Sequence, residues 1–311
     1  MRSHDDLARG SKPEGPRRLP ARRESRFCEA DAPRGSGPHP CPDAVETAAE
    51  LLANARFPLV ITATAGRTRG GYAALASFAA RHAIPVVQSQ TRDLNLPTEH
   101  EMKLGHNVHQ ILPHADVILV LDNDVPWLPS LGGPAPGAKV IHMSADPLAS
   151  RYPFREFETD ILITSETTRG LAALDRAMTT SVNGKLHTGT SERRIRIGQI
   201  RDEQMRERQR QIETAGAAPR ADGVWITHCL DSLKWRDAIV VNELGFNAPD
   251  FLELNDWGSY MATSLAGGLG FGLGAALGAK LAAPEREVIV CCGEGSYMFG
   301  NPTPYLRAPQ Q

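Results

Sequence analysis

The sequence predicts an α/β protein made of two doubly wound domains, each with a parallel sheet covered by helices. Short apolar runs rich in β-branched residues alternate with segments that have the 3.6-residue apolar period of helices. The apolar runs are nearly continuous, which is typical of parallel strands buried on both faces. A highly charged segment at 186–221 separates two such alternating regions.

The first alternating region covers 42–185, and we expect it to form a central, Rossmann-like domain. The expected strands are PLVITATAG (58–66), IPVVQS (84–89), ADVILVLDND (115–124), AKVIHMSAD (138–146) and DILITS (160–165). The expected helices are YAALASFAARH (72–82) and ETTRGLAALDRAM (166–178).

Two segments outside the alternating regions are polar. Residues 1–41 are rich in Arg, Pro, Gly and Ser, so they cannot bury enough apolar surface to offset their ordering entropy. We expect a disordered arm there, with a basic arm that binds an acidic partner as the alternative. Residues 186–221 predict an exposed helical linker. A nucleic-acid-binding helix is less favoured because acids interleave with the arginines.

The second alternating region covers 222–311. The helix DGVWITHCLDSL (222–233), with Asp222 as N-cap, precedes the strand AIVVNELG (238–245). The run 261–283 is as long as a membrane span, but it is built from Gly and Ala and includes Lys280, so we expect a buried helix and no membrane association. The strand REVIVCCGEGS (286–296) follows it.

Bulk composition excludes several classes of protein. The net charge of −2 gives no general reason to bind nucleic acid or an anionic membrane. The five cysteines are odd in number and include no CxxC, which predicts reduced thiols and a cytoplasmic location. The Arg-rich N-terminus lacks the apolar core of a secretory signal, and its acids argue against a transit peptide.

The turn Gly293-Glu294-Gly295-Ser296 follows an apolar strand, and ligands of open parallel sheets lie beyond such strand ends. Glycines let a backbone approach a ligand closely. A carboxylate and a hydroxyl suit magnesium, which commonly carries phosphates with it. A tight turn capped by Ser296 is the alternative.

The glycines of the preceding helix allow two interpretations. Gly270-x-Gly272-x-x-Ala275 fits a loose dinucleotide fingerprint, but no convincing strand precedes it in MATSLAG. Gly270, Gly274 and Gly278 are spaced by four residues and would form a smooth helix face for close packing, which we favour.

The stretch LAGGLGFGLGAALGAKLAAPEREVIVCCGEGSYMFGNPTPYL resembles the diphosphate-binding domain of thiamine-diphosphate enzymes, most closely the acetolactate synthase and benzoylformate decarboxylase group. The segments 115–130 and 140–174 resemble the central domain of the same family, and the resemblance covers 45–306. It implies thiamine diphosphate and Mg²⁺ as cofactors. It also implies lyase or transferase chemistry, in which 2-oxo acids are decarboxylated or joined by carbon–carbon bonds.

The resemblance also implies roles for the turn. Gly293, Gly295 and Ser296 would contact the diphosphate through backbone amides and the hydroxyl. Tyr297 and Met298 would begin the helix whose N-terminus faces that anion.

Further roles follow from the resemblance at other positions. Glu294 matches the family's magnesium-binding aspartate. Gly268, Leu269 and Gly270 match the segment that passes the aminopyrimidine, and Glu243 would lie near the diphosphate pocket.

Three departures from the family pattern bear on activity. Glu294 replaces an aspartate, and its extra methylene should weaken magnesium binding. The family's second metal ligand, an asparagine further along the chain, has no match, because Asn301 comes too early. The catalytic glutamate of the family's pyrimidine-binding domain has no match either. The sequence therefore predicts a truncated diphosphate-binding domain with no catalytic residue of its own and no activity alone.

Partners and alternatives follow from these departures. A second copy, or a separate chain that supplies the pyrimidine-binding domain, would complete the site. The alternatives are a structural oligomerisation remnant without catalysis, or a central domain that binds FAD or ADP. In the nucleotide-binding alternative, Arg67 and Arg69 would follow Gly66 at a strand end and meet phosphate.

Four histidines lie close together in sequence, but their spacing matches no zinc pattern. They are His100, His106, His109 and His114. We expect satisfied surface or loop histidines, with His106 and His109 placed to line a ligand groove beside the central sheet.

Overall fold

The computed structural model describes residues 37–150, 152–153, 157–180, 189–243, 249–263 and 267–307. Residues from Gly37 onward form one compact unit. Most of the arm expected at 1–41 and the expected domain boundary at 185 lie outside the described residues.

The first sheet has five parallel strands in the order β2-β1-β3-β4-β5. The strands are β1 (Pro58–Thr62), β2 (Val86–Val87), β3 (Val117–Leu121), β4 (Lys139–Ser144) and β5 (Ile161–Thr164). Every residue of β1 and β3 is buried, as a sheet covered on both faces requires. The α/β class and the parallel sheet expected from the apolar runs are confirmed.

Helices α1 (Pro42–Asn54), α2 (Arg69–His82), α3 (Val108–Ile111) and α4 (Thr167–Thr180) accompany this sheet. The hydroxyl of Thr68 caps α2 by accepting a hydrogen bond from the backbone N–H of Gly71. Helix α1 was not predicted, although its buried residues Val45, Ala48, Ala49 and Leu52 have helical spacing.

Helix α5 (Thr190–Ala217) is 28 residues long, and most of its side chains are exposed, as predicted for the charged segment. Its apolar contacts lie near its two ends. Ile197 packs into the core of the first sheet, whereas Ile212 packs against Phe251 beside the second sheet. The helix therefore contacts both cores.

The second sheet has three parallel strands in the order β7-β6-β8. Its elements, in chain order, are α6 (Gly223–Leu233), β6 (Ile239–Glu243), β7 (Tyr260–Ala262), α7 (Phe271–Ala282), β8 (Val288–Cys292), α8 (Glu294–Phe299) and α9 (Pro302–Arg307). Asp222 caps α6 as predicted, since its Oδ1 accepts a hydrogen bond from the N–H of Trp225 at 2.9 Å.

Strand β7 corrects the expectation that no strand precedes the glycine helix. Tyr260 and Met261 pair in parallel with Val240 and Val241 of β6. Three residues are too few to show a strand pattern in a sequence. Residues 263–270 separate β7 from α7, so the tight strand–turn–helix of a dinucleotide site is still missing.

A segment that follows β2 joins the two sheets. The carbonyl of Arg92 accepts a hydrogen bond from the N–H of Ala262, the last residue of β7, at 2.9 Å. Leu94 is part of the apolar cluster around Val240. The N–H of Thr98 donates to the carbonyl of Leu254 at 2.9 Å.

Within the described parts of the chain, no helix combines the length and apolar character needed to cross a membrane.

Gly66 shows how tightly the joining segment packs against the first sheet. Its N–H donates to Oδ1 of Asn95 at 2.8 Å, and its carbonyl accepts from Nε1 of Trp257 at 2.8 Å. A Cβ at position 66 would lie 2.0 Å from the carbonyl oxygen of Leu94. Only glycine fits here without displacing backbone.

We expect Gly66→Ala to lower the free energy of unfolding by about 1–3 kcal/mol, the usual cost of overpacking a core. Gly198→Ala is the control, because Gly198 lies within α5 and a Cβ there meets no described atom within 4 Å. It should raise stability by up to about 1 kcal/mol through helix propensity. Urea denaturation followed by tryptophan fluorescence measures both, and equal effects would contradict the packing argument.

Candidate functional site

The candidate site lies at the carboxyl edge of the second sheet. Strand β6 ends at Glu243 and β8 ends at Cys292, and these two residues are paired across the sheet. The turn that begins at Gly293 therefore leaves the sheet beside Glu243. This edge is where ligands of open parallel sheets bind.

Glu243 is 1% exposed, and both of its carboxylate oxygens are in use. Oε1 accepts a hydrogen bond from the N–H of Gly270 at 2.5 Å, and Oε2 accepts one from the N–H of Gly272 at 2.5 Å. These N–H groups belong to the start of α7, where helical amides have no partner within the helix. The carboxylate therefore fixes the start of α7 to the end of β6.

Two glycines allow this close packing. Gly270 has φ of 95°, and a Cβ on it would lie 3.1 Å from the Cα of Gly300. A Cβ at Gly272 would lie 2.9 Å from Oε2 of Glu243. The start of α7 is therefore held between the carboxylate and the end of α8.

Helix α8 begins at Glu294, with Gly293 as its N-cap, and not at Tyr297 and Met298 as expected. Its first intrahelical bond joins the N–H of Tyr297 to the carbonyl of Gly293 at 3.0 Å. Residues 294–296 have helical geometry, so the motif forms the first turn of the helix and not a loop before it. Their amides precede the first intrahelical bond and point out of the helix end.

The surface around this turn is open. A Cβ on either Gly268 or Gly295 would meet no described atom within 4 Å. Glu294 is exposed as well, whereas the Ser296 side chain is buried, at 4% exposure. Leu269 and Tyr297 are partly exposed beside them.

These residues fit a diphosphate better than they fit a complete magnesium site. Phosphate oxygens accept hydrogen bonds from backbone amides and from a hydroxyl. The open glycine surface leaves space for them. Among the described residues, no group of three or more His, Cys, Asp or Glu side chains could hold a metal ion. Glu294 offers one free carboxylate, since that of Glu243 already holds two amides.

The two cysteines at the end of β8 are thiols and not thiolates. Burial raises the pKa of Cys291 to about 12. Burial raises the pKa of Cys292, and the negative charge of Glu243 raises it further by a smaller amount. Neither is suited to act as a nucleophile at neutral pH.

The crevice beside β1 does not favour the alternative of a nucleotide site. The amide of Gly66 already donates to Asn95, and the Arg67 guanidinium lies 3.8 Å from Asp93. Arg69 is exposed in the first turn of α2. The Gly66 amide is therefore occupied, and the Arg67 guanidinium already lies beside a carboxylate.

Hydrogen bonds and a groove account for the four histidines. The ring of His100 contacts the carbonyl of Ala76 and the N–H of Met102. His106 and His109 line a groove beside the first sheet, as predicted, and His106 pairs with Asp250. His114 lines the same groove.

The comparisons with known proteins agree with this geometry. Residues 45–155 match the family model "Thiamine pyrophosphate enzyme, central domain". Residues 244–303 match "Thiamine pyrophosphate enzyme, C-terminal TPP binding domain". A search of curated proteins found no match.

Two solved structures have a similar fold. A protein from Mycobacterium smegmatis, described as a candidate thiamin diphosphate-dependent enzyme, is 20% identical with a TM-score of 0.61. It aligns with 85% of this chain and 50% of its own. The thiamine diphosphate-dependent 4-hydroxybenzoylformate decarboxylase of Rhodococcus jostii RHA1 is 23% identical with a TM-score of 0.58. It aligns with 83% of this chain and 47% of its own.

The two family models together cover more than half of the 311 residues, and both belong to the same enzymes. The chain belongs to the thiamine pyrophosphate enzyme family, of which it carries the central domain and the C-terminal cofactor-binding domain. It spans about half the length of the solved relatives.

We expect Glu243→Gln to loosen the start of α7. A glutamine keeps the volume but turns a donor toward one of the two amides, which leaves a buried N–H unpaired at a cost of about 1–3 kcal/mol. Hydrogen exchange at Gly270 and Gly272 should accelerate. In the control Glu285→Gln, at an exposed position, exchange at these amides should be unchanged. Equal exchange in both variants would contradict the role of the carboxylate.

The raised pKa of Asp122, at the end of β3, leads us to expect that the stability of the protein depends on pH. Burial raises its pKa to about 6, against the hydrogen bond from Thr167 and the charge of Arg67. The folded state therefore binds this proton more tightly than the unfolded state does. The associated stability is present below about pH 4 and is lost as the pH rises toward 6.

We expect Asp122→Asn to remove this pH dependence. The free energy of unfolding of the variant should exceed that of the wild type by a margin that grows from pH 4.5 to pH 7.5, where it reaches about 1–2 kcal/mol. Denaturant unfolding at the two pH values measures the gain. Asp237→Asn, at an exposed site, is the control. A gain at pH 7.5 no larger than that at pH 4.5 would show that burial of Asp122 does not raise its pKa.

Proposed function

We propose that this chain binds thiamine diphosphate and Mg²⁺ at the carboxyl edge of its second sheet, as part of an enzyme of the acetolactate synthase or 2-oxo acid decarboxylase type. One observation carries the proposal. Glu243 pairs with Cys292 across the sheet and holds the N–H groups of Gly270 and Gly272. The two segments expected to touch the cofactor therefore meet at one sheet edge.

The turn after β8 would hold the diphosphate. The backbone amides of Gly293 and Gly295 would supply donors, with open space at Gly295, and the Ser296 hydroxyl would donate from a side chain that is 4% exposed. Tyr297 closes the first turn through its N–H, so it supports the geometry and does not offer that amide to the ligand.

The segment before α7 would pass the aminopyrimidine ring. Gly268 borders open space and Leu269 is 43% exposed, so both can contact a ligand. Gly270 and Glu243 act differently in this proposal. Because the N–H of Gly270 binds the Glu243 carboxylate, these two residues position the segment and do not contact the diphosphate.

Glu294 would bind Mg²⁺ through its exposed carboxylate. The metal would be held weakly, because magnesium requires near-octahedral geometry and this turn provides one free carboxylate among the described residues. Bound thiamine diphosphate would supply the carbanion chemistry by which 2-oxo acids lose carbon dioxide or form carbon–carbon bonds. We assign no catalytic residue to this chain, and we expect it to be inactive alone.

An assembly partner is part of this proposal, either a second copy or a chain with a pyrimidine-binding domain. Large exposed apolar side chains near the second sheet support association. They are Leu233, Trp235, Leu281, Met298, Phe299 and Leu306. The free thiols of Cys41, Cys229, Cys291 and Cys292 support the expected cytoplasmic location. FAD or ADP binding by the central domain is the remaining alternative, and no contact at Gly66 favours it.

We expect Gly295→Val to weaken thiamine diphosphate binding by at least about tenfold, or about 1.4 kcal/mol. The added side chain would fill the open space that the diphosphate needs, and its Cβ would meet no described atom within 4 Å. Calorimetric titration with thiamine diphosphate and magnesium measures the affinity. Denaturant unfolding should show no loss of stability, since valine has a slightly higher helix propensity than glycine.

Gly278→Val is the matched control, because position 278 in α7 is equally open. It should bind the cofactor as the wild type does. A wild-type protein that binds no thiamine diphosphate at millimolar concentration, or equal binding by both variants, would refute the proposed site.

A further inference from the structure

A groove of about 1590 Å³ lies between the edge of the first sheet, helix α5 and the loops of the second sheet. Its wall includes apolar side chains, such as Ile111, Trp127 and Phe251, and buried polar side chains that include Gln88 and Lys103. The cofactor proposal assigns no role to this groove.

Backbone pairing places Gln88 and Lys103 on the same side of the sheet edge. Lys103 pairs in parallel with Val86, and the N–H of Gln88 donates to the carbonyl of Gly105 at 3.0 Å. Residues two apart in an extended strand share a face, so Gln88 lies on the face of Val86 and of its partner Lys103. The two polar side chains are therefore neighbours along one edge.

Gly105, which accepts the backbone hydrogen bond from Gln88, packs closely against Asp250. It has φ of 71°, and a Cβ on it would lie 3.0 Å from Oδ1 of Asp250. Asp250 in turn pairs with Nδ1 of His106 at 2.5 Å. Glycine at this position therefore lets the Asp250–His106 pair approach the backbone beside the subsite.

Each of these two polar side chains has N–H donors that are not used in the hydrogen bonds of the described residues. Gln88 is fully buried; its Oε1 accepts from the N–H of Asn95, but its Nε2 has no hydrogen-bond partner in the described structure. Lys103 is 8% exposed and donates to Oγ1 of Thr98 at 3.3 Å. Burial lowers the pKa of Lys103 to about 8, against the charge of Asp250. An unpaired buried donor is costly, so a ligand acceptor would be stabilised here.

We propose that Gln88 and Lys103 form a subsite of the groove that takes the carboxylate of a small monocarboxylic acid. One ammonium and one amide N–H₂ match the single charge and two oxygens of a carboxylate. Acids and arginines both line the rest of the groove, so the two donors of the subsite, and not the overall charge of the groove, select the ligand. The apolar side chains of the wall suit the body of such an acid.

Titration calorimetry with benzoate and its neutral analogue benzamide tests the subsite. Benzoate should bind at least about tenfold more tightly than benzamide, because only benzoate pairs with the lysine charge. Lys103→Met should weaken benzoate binding by at least about tenfold. Gln88→Glu should do the same, because its carboxylate keeps the bond to Asn95 and itself pairs with Lys103.

Arg210→Met is the matched control, since Arg210 lines the same groove but is exposed and paired with Glu207. It should change benzoate affinity less than about twofold. The proposal is overturned if benzoate fails to bind, if it binds no better than benzamide, or if both subsite variants bind it like the wild type. Tighter binding of inorganic phosphate than of benzoate would overturn the carboxylate assignment. None of these results depends on thiamine diphosphate.

Discussion

The carboxylate of Glu243 is buried at the end of a strand, and a buried charge must be compensated by donors. Its donors are the amides of Gly270 and Gly272 at the start of α7, 27 and 29 residues later in the chain. The glycine segment, the end of β6 and the turn after β8 are therefore held in one arrangement. A carboxylate that pointed into the ligand site would repel a diphosphate. Because the Glu243 carboxylate is hydrogen-bonded to two amides, it instead positions the segments around the site.

The segment from Arg92 to Thr98 has a comparable role between the two sheets. It contributes Leu94 to the second core and hydrogen-bonds to residues on both sides. Asn95 fixes its path, because the Asn95 side chain accepts from Gly66 and donates to the carbonyl of Ala63. Since Asn95 also donates its own N–H to Gln88, the groove and the sheet junction share one hydrogen-bond network.

The sequence was most informative where burial is continuous. Strands β1 and β3 are fully buried, so their apolar runs stand out without any partner being known. Strand β7 was missed because Tyr260–Ala262 is too short for a pattern and is defined by its pairing with β6. The start of α8 was placed too late, because Gly295 suggested a loop where the backbone is helical.

The site was harder to predict, because its key contacts join distant residues. The position of Glu243 at a strand end was visible in the sequence, but its partners Gly270 and Gly272 were not. One available signal was that a carboxylate closing a wholly apolar strand is buried and needs donors. Lys103 and Gln88 gave no signal, because their proximity follows from the pairing of Val86 with Lys103.

The two carboxylates at the sheet edge would act differently toward an anion. The Glu243 carboxylate is buried and hydrogen-bonded by two amides, whereas Glu294 is exposed on the turn itself. Two like charges at about 4 Å repel by roughly 4 kcal/mol near a protein surface. This repulsion exceeds the stabilisation that a hydrogen bond from one backbone amide provides. A cation held by Glu294 would offset this repulsion and so favour a diphosphate on this turn. On this argument, replacing the carboxylate would weaken metal-dependent binding while making metal-free binding less unfavourable, and this opposite response would distinguish a metal ligand from a simple helix cap.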